Sequence, residues 1–286
     1  MLRYMILSLI SLLYLNSCLP TSNCPQCSVQ VPIIEPEKPL VRIGASSLNM
    51  PPYFITTENT GLEKDIIEAA FQKKGYRVSF EFVNDRKRMF HEGKFDCITT
   101  VVENLKYPSF YTNGIVPYQD QIIYLENPTF TINSRDDLKD LKIEAFRDAK
   151  KILGLQDLKL DKNYREHSSK ASQVLMLYHR SIDVLIMDIR MFGFYRKKML
   201  HKIVELERKK REEIETKKLP ETFTQYQVKT ATLFPAQAYQ MACKNEKHRN
   251  DFNEGLNLIK QSNPANENSM SDYDKIFKKP EYLSHL

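Results

Sequence analysis

With 286 residues, 42% of them hydrophobic and 27% charged, the chain can form one or two domains with a buried core, which excludes wholesale disorder. Its net charge of +6 is modest for that length, and no basic, aromatic-interleaved stripe accompanies it, so nucleic acid is not an expected partner. The 8 glycines form no phosphate-cradling loop, HExxH, paired CxxC and GxSxG patterns are missing, and the 6 histidines lack ligand spacing; no metal or cofactor is expected.

The N-terminus carries Arg3 and then an apolar run over residues 5–15, too short to span a bilayer comfortably. Leu15-Asn16-Ser17-Cys18 follows and resembles a bacterial lipobox. That pattern implies a lipidated Cys18 at the start of the mature chain, and a protein of the periplasm or cell envelope anchored to a membrane. Pro20, Pro25, Pro32, Pro36 and Pro39 make residues 19–39 an extended tether. Cys24 and Cys27 lie in it, either as a small disulfide or as two idle thiols. Cys97 and Cys243 sit in apolar runs, as a buried pair of thiols or a disulfide.

The body alternates strand and helix patterns. Val41–Ala45 reads as a strand. Thr60 and Glu63 have capping-box spacing ahead of a helix with Leu62, Ile66, Ala69 and Ala70 on one face, ended by Gly75. Val78, Phe80 and Phe82 alternate with polar residues in a strand over 78–83. A short basic helix around 85–91 and a strand over 95–102 complete a β-α-β-α-β run, which implies a parallel sheet. A second α/β unit follows: strands at 121–125, 142–146 and 182–187, a helical turn capped by residues 134–137, and a helix with Ala171, Val174, Leu175 and Tyr178 as its apolar stripe. Residues 199–218 predict a solvated charged helix with i,i+4 pairs Glu205/Lys209, Glu207/Arg211 and Glu213/Lys217. Strand-like sequence returns over 230–243, and Phe252, Leu256 and Ile259 mark a last amphipathic helix.

Taken in order, VRIGASSLNMPPYF (41–54), TGLEKDIIEAAFQKKG (60–75), EGKFDCITT (92–100), DDLKDLKIEAF (136–146), RSIDVLIMD (180–188) and FPAQAYQMAC…FNEGL (234–256) resemble the type II periplasmic solute-binding proteins, specifically the family-3 group of amino-acid receptors of ABC transporters. The resemblance covers residues 40–280. It implies an α/β fold of two lobes with a cleft between them, lobe 1 from 40–122 plus 229–286 and lobe 2 from 123–228, closing on a small polar ligand. It also implies an ABC permease or a membrane sensor as partner, and no enzymatic activity. Some relatives of this fold are dehydratases of small cyclic acids; for that role Glu103, Glu166 and Asp188 are the candidates. Carried over residue by residue, the ligand contacts are Tyr53 behind Pro51-Pro52, Thr99 in the third strand, Tyr118 at the first crossover, Phe146, and Asp188 as the amine-binding acid. The carboxylate-gripping Arg of the family is missing, since the segment reads Val101-Val102-Glu103-Asn104. Arg147, with the amides of the helix it begins, is the substitute anion grip. Without the Arg, the retained Asp188 points to a cationic or neutral ligand such as an amine.

Overall fold

The structure, a computed structural model, describes residues 37–101, 108–126, 129–158, 160, 162–213, 227–261, 270–280 and 282. The lipobox, Cys18, Cys24, Cys27, Glu103, Asn104 and most of the tether lie outside those residues.

Two five-stranded sheets organise the chain. The first has the order β2-β1-β3-β12-β4 and combines β1 (Leu40–Ser46), β2 (Arg77–Val83), β3 (Cys97–Val101), β4 (Phe110–Tyr111) and β12 (Gln240–Cys243). β1 pairs with β2 and β3 in parallel, as the β-α-β-α-β pattern implies. β12 returns antiparallel to both β3 and β4, which makes the sheet mixed. The second sheet has the order β10-β6-β9-β7-β8, from β6 (Asp120–Leu125), β7 (Ile143–Ala145), β8 (Tyr164–Glu166), β9 (Val184–Asp188) and β10 (Val228–Ala231). The expected dividing points 122/123 and 228/229 therefore fall inside β6 and β10, both strands of the second sheet. Between the sheets the chain crosses twice, through residues 112–119 and 232–239. These crossings pair with each other as β5 (Pro117–Tyr118) and β11 (Gln237–Ala238).

Strand alternation sets the layers. On β9, Leu185 and Met187 face one apolar cluster while Val184 and Ile186 face another. On β6, Ile123 and Leu125 are set against Ile122 and Tyr124 in the same way. The larger cluster also holds Val41, Ile43 and Ala45 of β1, so a single apolar layer runs through both sheets. Helix α1 (Leu62–Lys73) covers the first sheet and lies against α6 (Glu246–Gln261), whose Phe252, Leu256 and Ile259 are buried as their spacing predicts. Gly255 makes that approach feasible: a Cβ there would sit 2.0 Å from the Ala70 carbonyl oxygen. α2 (Arg86–His91) covers the opposite face with Phe90.

On the second sheet lie α3 (Ala149–Ile152), α4 (Lys170–Tyr178) and α5 (Ile189–Glu213). α4 buries Gln173, Val174, Leu177 and Tyr178, whereas Leu175 of the expected stripe is 38% exposed. The helix is rotated so that Gln173 Nε2 donates to the Ala145 carbonyl at 2.6 Å. α5 begins ten residues before the expected 199, directly after β9. Residues 214–218 of the expected helix lie outside the described residues, and a final helix α7 (Asp272–Phe277) is capped by Ser271.

Cys97 and Cys243 form a disulfide across paired positions of β3 and β12. The bond links strands 146 residues apart in sequence. Closing so long a loop restricts the unfolded chain, a contribution of about 2–5 kcal/mol. A Cys97→Ala/Cys243→Ala variant should therefore melt roughly 5–15 °C lower in a calorimetric scan; an unchanged melting temperature would show that the bond does not form in the folded protein.

Candidate functional site

Where the two sheets meet, polar side chains interrupt the apolar layer. Tyr53 comes from the loop between β1 and α1. The first amides of α1 hold that loop: Leu62 N–H donates to the Pro52 carbonyl at 2.8 Å and Glu63 N–H to the Tyr53 carbonyl at 3.1 Å. Gly61, at φ +147°, permits the approach, since a Cβ there would lie 2.2 Å from the Tyr53 oxygen. With its amides met in this way, α1 needs no side-chain cap, and the expected capping box is not formed. Thr60 Oγ1 instead pairs with the Tyr282 hydroxyl at 3.2 Å, and Glu63 turns inward.

The fully buried Tyr53 donates its hydroxyl to Asp188 Oδ2 at 2.9 Å. The same oxygen accepts Gln119 N–H at 2.8 Å. Asp188 Oδ1 accepts the amides of Arg190 and Met191, both at 3.0 Å. Asp188 thus ends β9 and caps α5, and its two oxygens meet four donors. Burial is the largest influence on its carboxyl and raises its pKa, against the pull of the amides. Burial also raises the Tyr53 phenol well above its ordinary value, so the tyrosine remains a neutral donor.

Tyr118, on β5, stacks on Tyr53 with ring centroids 3.8 Å apart and meets the edge of Tyr239 at 4.5 Å. Its hydroxyl donates to Glu63 Oε2 at 2.8 Å, and the Thr99 hydroxyl donates to Glu63 Oε1. Arg86, from α2, donates Nε–H to the Thr99 carbonyl at 3.1 Å and is attracted to Glu63. Tyr53, Thr99, Tyr118 and Asp188 are therefore brought into one connected region. Sequence reasoning missed Glu63, the residue that links Thr99 to Tyr118.

The remaining expected residues do not join this hydrogen-bonded network. Phe146 is half-buried after β7, with the Lys170 ammonium 5.4 Å from its ring centroid. Arg147 is exposed. The amides expected to act with it are taken: Asp148 and Lys150 N–H donate to Glu166 at 2.7 and 2.8 Å, so an internal carboxylate occupies the start of α3.

Asp120 was not foreseen. It lies directly opposite Asp188 in the β6–β9 register. Burial, and secondarily the Asp188 charge, pushes its carboxyl up to about 7, against the opposing pull of Lys170. Burial brings the Lys170 ammonium down to about 8. Burial, with the Asp120 charge next in size, pushes the Tyr239 phenol up to about 12. The β6–β9 register sets Asp120 beside Asp188 at the junction of the two sheets, Tyr239 lies against Tyr118 there, and Lys170 lies over the Phe146 ring.

No family model matches the chain, and no curated protein matches it. Solved structures do. An ancestral cationic amino-acid solute-binding protein aligns over 85% of this chain and 96% of its own, with TM-score 0.60 and 17% identity. The fold is that of the two-lobed periplasmic binding proteins. An arginine transport periplasmic binding protein from Legionella pneumophila covers 86% of this chain over its full length, with TM-score 0.56 and 14% identity. A histidine kinase sensor domain with similarity to periplasmic binding proteins covers 83%, with TM-score 0.58 and 15% identity. In a binding-protein fold the two sheets are the cores of the lobes, and the region around Tyr53, Asp120 and Asp188 is the seam between them.

Two measurements test this seam. Tyr53→Phe removes one of four donors from a buried carboxylate, a loss of about 1.5–3 kcal/mol, and should lower the melting temperature by roughly 3–10 °C. For Asp120 the linkage runs through its raised pKa. The folded state keeps the proton between the ordinary value of 3.8 and about 7, so stability is highest below the lower value and declines as pH rises through the upper. Melting curves from pH 4 to 8 should show the wild type losing stability relative to Asp120→Asn up to about pH 7. A pH-independent difference between the two would show that Asp120 is ionised throughout.

Proposed function

We propose that this protein is an extracytoplasmic solute-binding protein that captures a small, amine-bearing polar molecule between its lobes, and that lipid on Cys18 tethers it to a membrane. The observation that carries the reading is the pairing of Asp120 with Asp188 at the seam of a binding-protein fold, with Tyr239 against Tyr118 and Lys170 over the Phe146 ring. Domain interfaces are favoured ligand sites, and perturbed titratable groups there are a functional signature. The neighbours named for cationic amino-acid and arginine binding fit a cleft that carries carboxylates. The Cys97–Cys243 disulfide fits an oxidising compartment outside the cytoplasm. Hinge closure around a ligand is the motion such a fold supports.

Delivery to an ABC-type importer is the partner role we assign. The kinase sensor neighbour supports a second reading, in which the closed form signals to a membrane receptor.

A thermal-shift screen of the purified protein tests the binding itself, with amino acids, amines, organic acids, sugars and nucleosides as probes. A ligand at 100 times its dissociation constant stabilises the folded state by about 2.7 kcal/mol, so a binder should raise the melting temperature by roughly 5–10 °C. A screen without a shift in any class would overturn the receptor reading.

A further inference from the structure

The two aspartates that face each other across β6 and β9 are in opposite conditions. Asp188 is 3% exposed, and both of its oxygens are occupied by protein donors. A ligand cation reaching it would have to displace Tyr53 or a backbone amide. The side chain of Asp120 is half-buried and, among the described residues, has no hydrogen-bond or ion-pair partner. The same holds for the Lys170 ammonium, whose neighbour is the Phe146 ring, and for the Tyr239 hydroxyl. The other nearby cation is engaged: Arg190 donates to the Pro117 carbonyl at 3.1 Å and lies over the Phe277 ring. Half-buried polar groups lose part of their hydration without gaining a protein partner, and a bound molecule with complementary groups offsets that loss.

We infer that Asp120, Lys170 and Tyr239 are the residues that read the ligand, with Phe146 as an apolar wall. Asp188 is then a positioning residue that shapes the site through Tyr53 and the start of α5. This inference rests on the binding reading above and deepens it. Asp120 takes the cationic end of the ligand, while Lys170 and Tyr239 take an anionic or acceptor end. The site therefore favours a dipolar molecule over one with a single kind of charge.

The test uses matched compounds on the full-length protein: ω-amino acids of two to six carbons, the corresponding α,ω-diamines and the corresponding dicarboxylates, followed by calorimetric titration. At least one ω-amino acid should bind ten or more times tighter than its diamine and its dicarboxylate. Asp120→Asn should weaken that compound at least tenfold and shift preference toward the dicarboxylate. Lys170→Gln should shift preference toward the diamine. An Asp188→Asn variant should lower the melting temperature more than it alters this preference. Equal binding of all three compound classes, binding of none, or unchanged selectivity in both the Asp120 and Lys170 variants would overturn the assignment. If the variants fail to fold, the wild-type comparison still decides it. A sugar or nucleoside hit in the broad screen with no ω-amino acid binding would sink this inference and leave the receptor reading standing.

Discussion

Burying a carboxylate between packed sheets costs several kcal/mol unless its lone pairs are met, and this protein buries two within one seam. Glu63 is satisfied through Thr99 on β3 and Tyr118 on the first crossing. Asp188 is satisfied through Tyr53 from the first lobe, Gln119 from the crossing and two amides of its own helix. The stacked rings of Tyr53 and Tyr118 lie between these acids, so each aromatic serves both as apolar filler and as a donor. Much of the surrounding architecture is arranged to hold those donors. Gly61 lets the Tyr53 loop press against α1, and the carbonyls of that loop cap the helix that delivers Glu63.

The distribution of donors bears on motion. Three of the four donors to Asp188 belong to the crossing segment or to α5. The Tyr53 hydroxyl is the one that comes from the first lobe. The opening that the proposed function calls for would break that single direct bond and leave the capping bonds of the carboxylate intact. The apolar layer behaves differently. It includes Tyr53, Tyr118 and Met187, so separation exposes buried rings to water at about 25 cal/mol for each Å² of apolar surface. Burial of these rings is non-directional, whereas the hydrogen bonds fix the register in which the two sheets meet.

The elements were legible in the sequence wherever one local pattern decided them. Alternation on 78–83, the α6 stripe of Phe252, Leu256 and Ile259, and the buried run before Asp188 all reappear with small changes of boundary. What depended on a distant partner was not legible. Thr60 and Glu63 have the spacing of a capping box, but the carbonyls of Pro52 and Tyr53 satisfy the helix first and free Glu63 for Tyr118. Leu175 fits an apolar stripe, yet α4 is rotated by the bond from Gln173 to Ala145. Apolar surroundings at Cys97 and Cys243 spoke for burial; only the β3–β12 register pairs them. Tyr53, Thr99, Tyr118 and Asp188 were selected by resemblance and do meet, whereas Arg147 is exposed and Glu166 occupies the amides beside it.

Asp120 shows why residue type alone does not assign a role. Its sequence context, between Gln119 and Gln121, carries no motif, and its character comes from the strand pairing that sets it opposite Asp188. Four donors hold one acid of the pair in place. The other acid, with no donor to its side chain among the described residues, is raised first by burial and then by that neighbouring charge, and holds its proton to about 7. Of the two adjacent carboxylates, Asp188 takes the amide that Gln119 of the crossing segment donates. The structural demand of starting α5 is met first, and the acid left over is the one whose unmet bonding capacity is open to a molecule from outside.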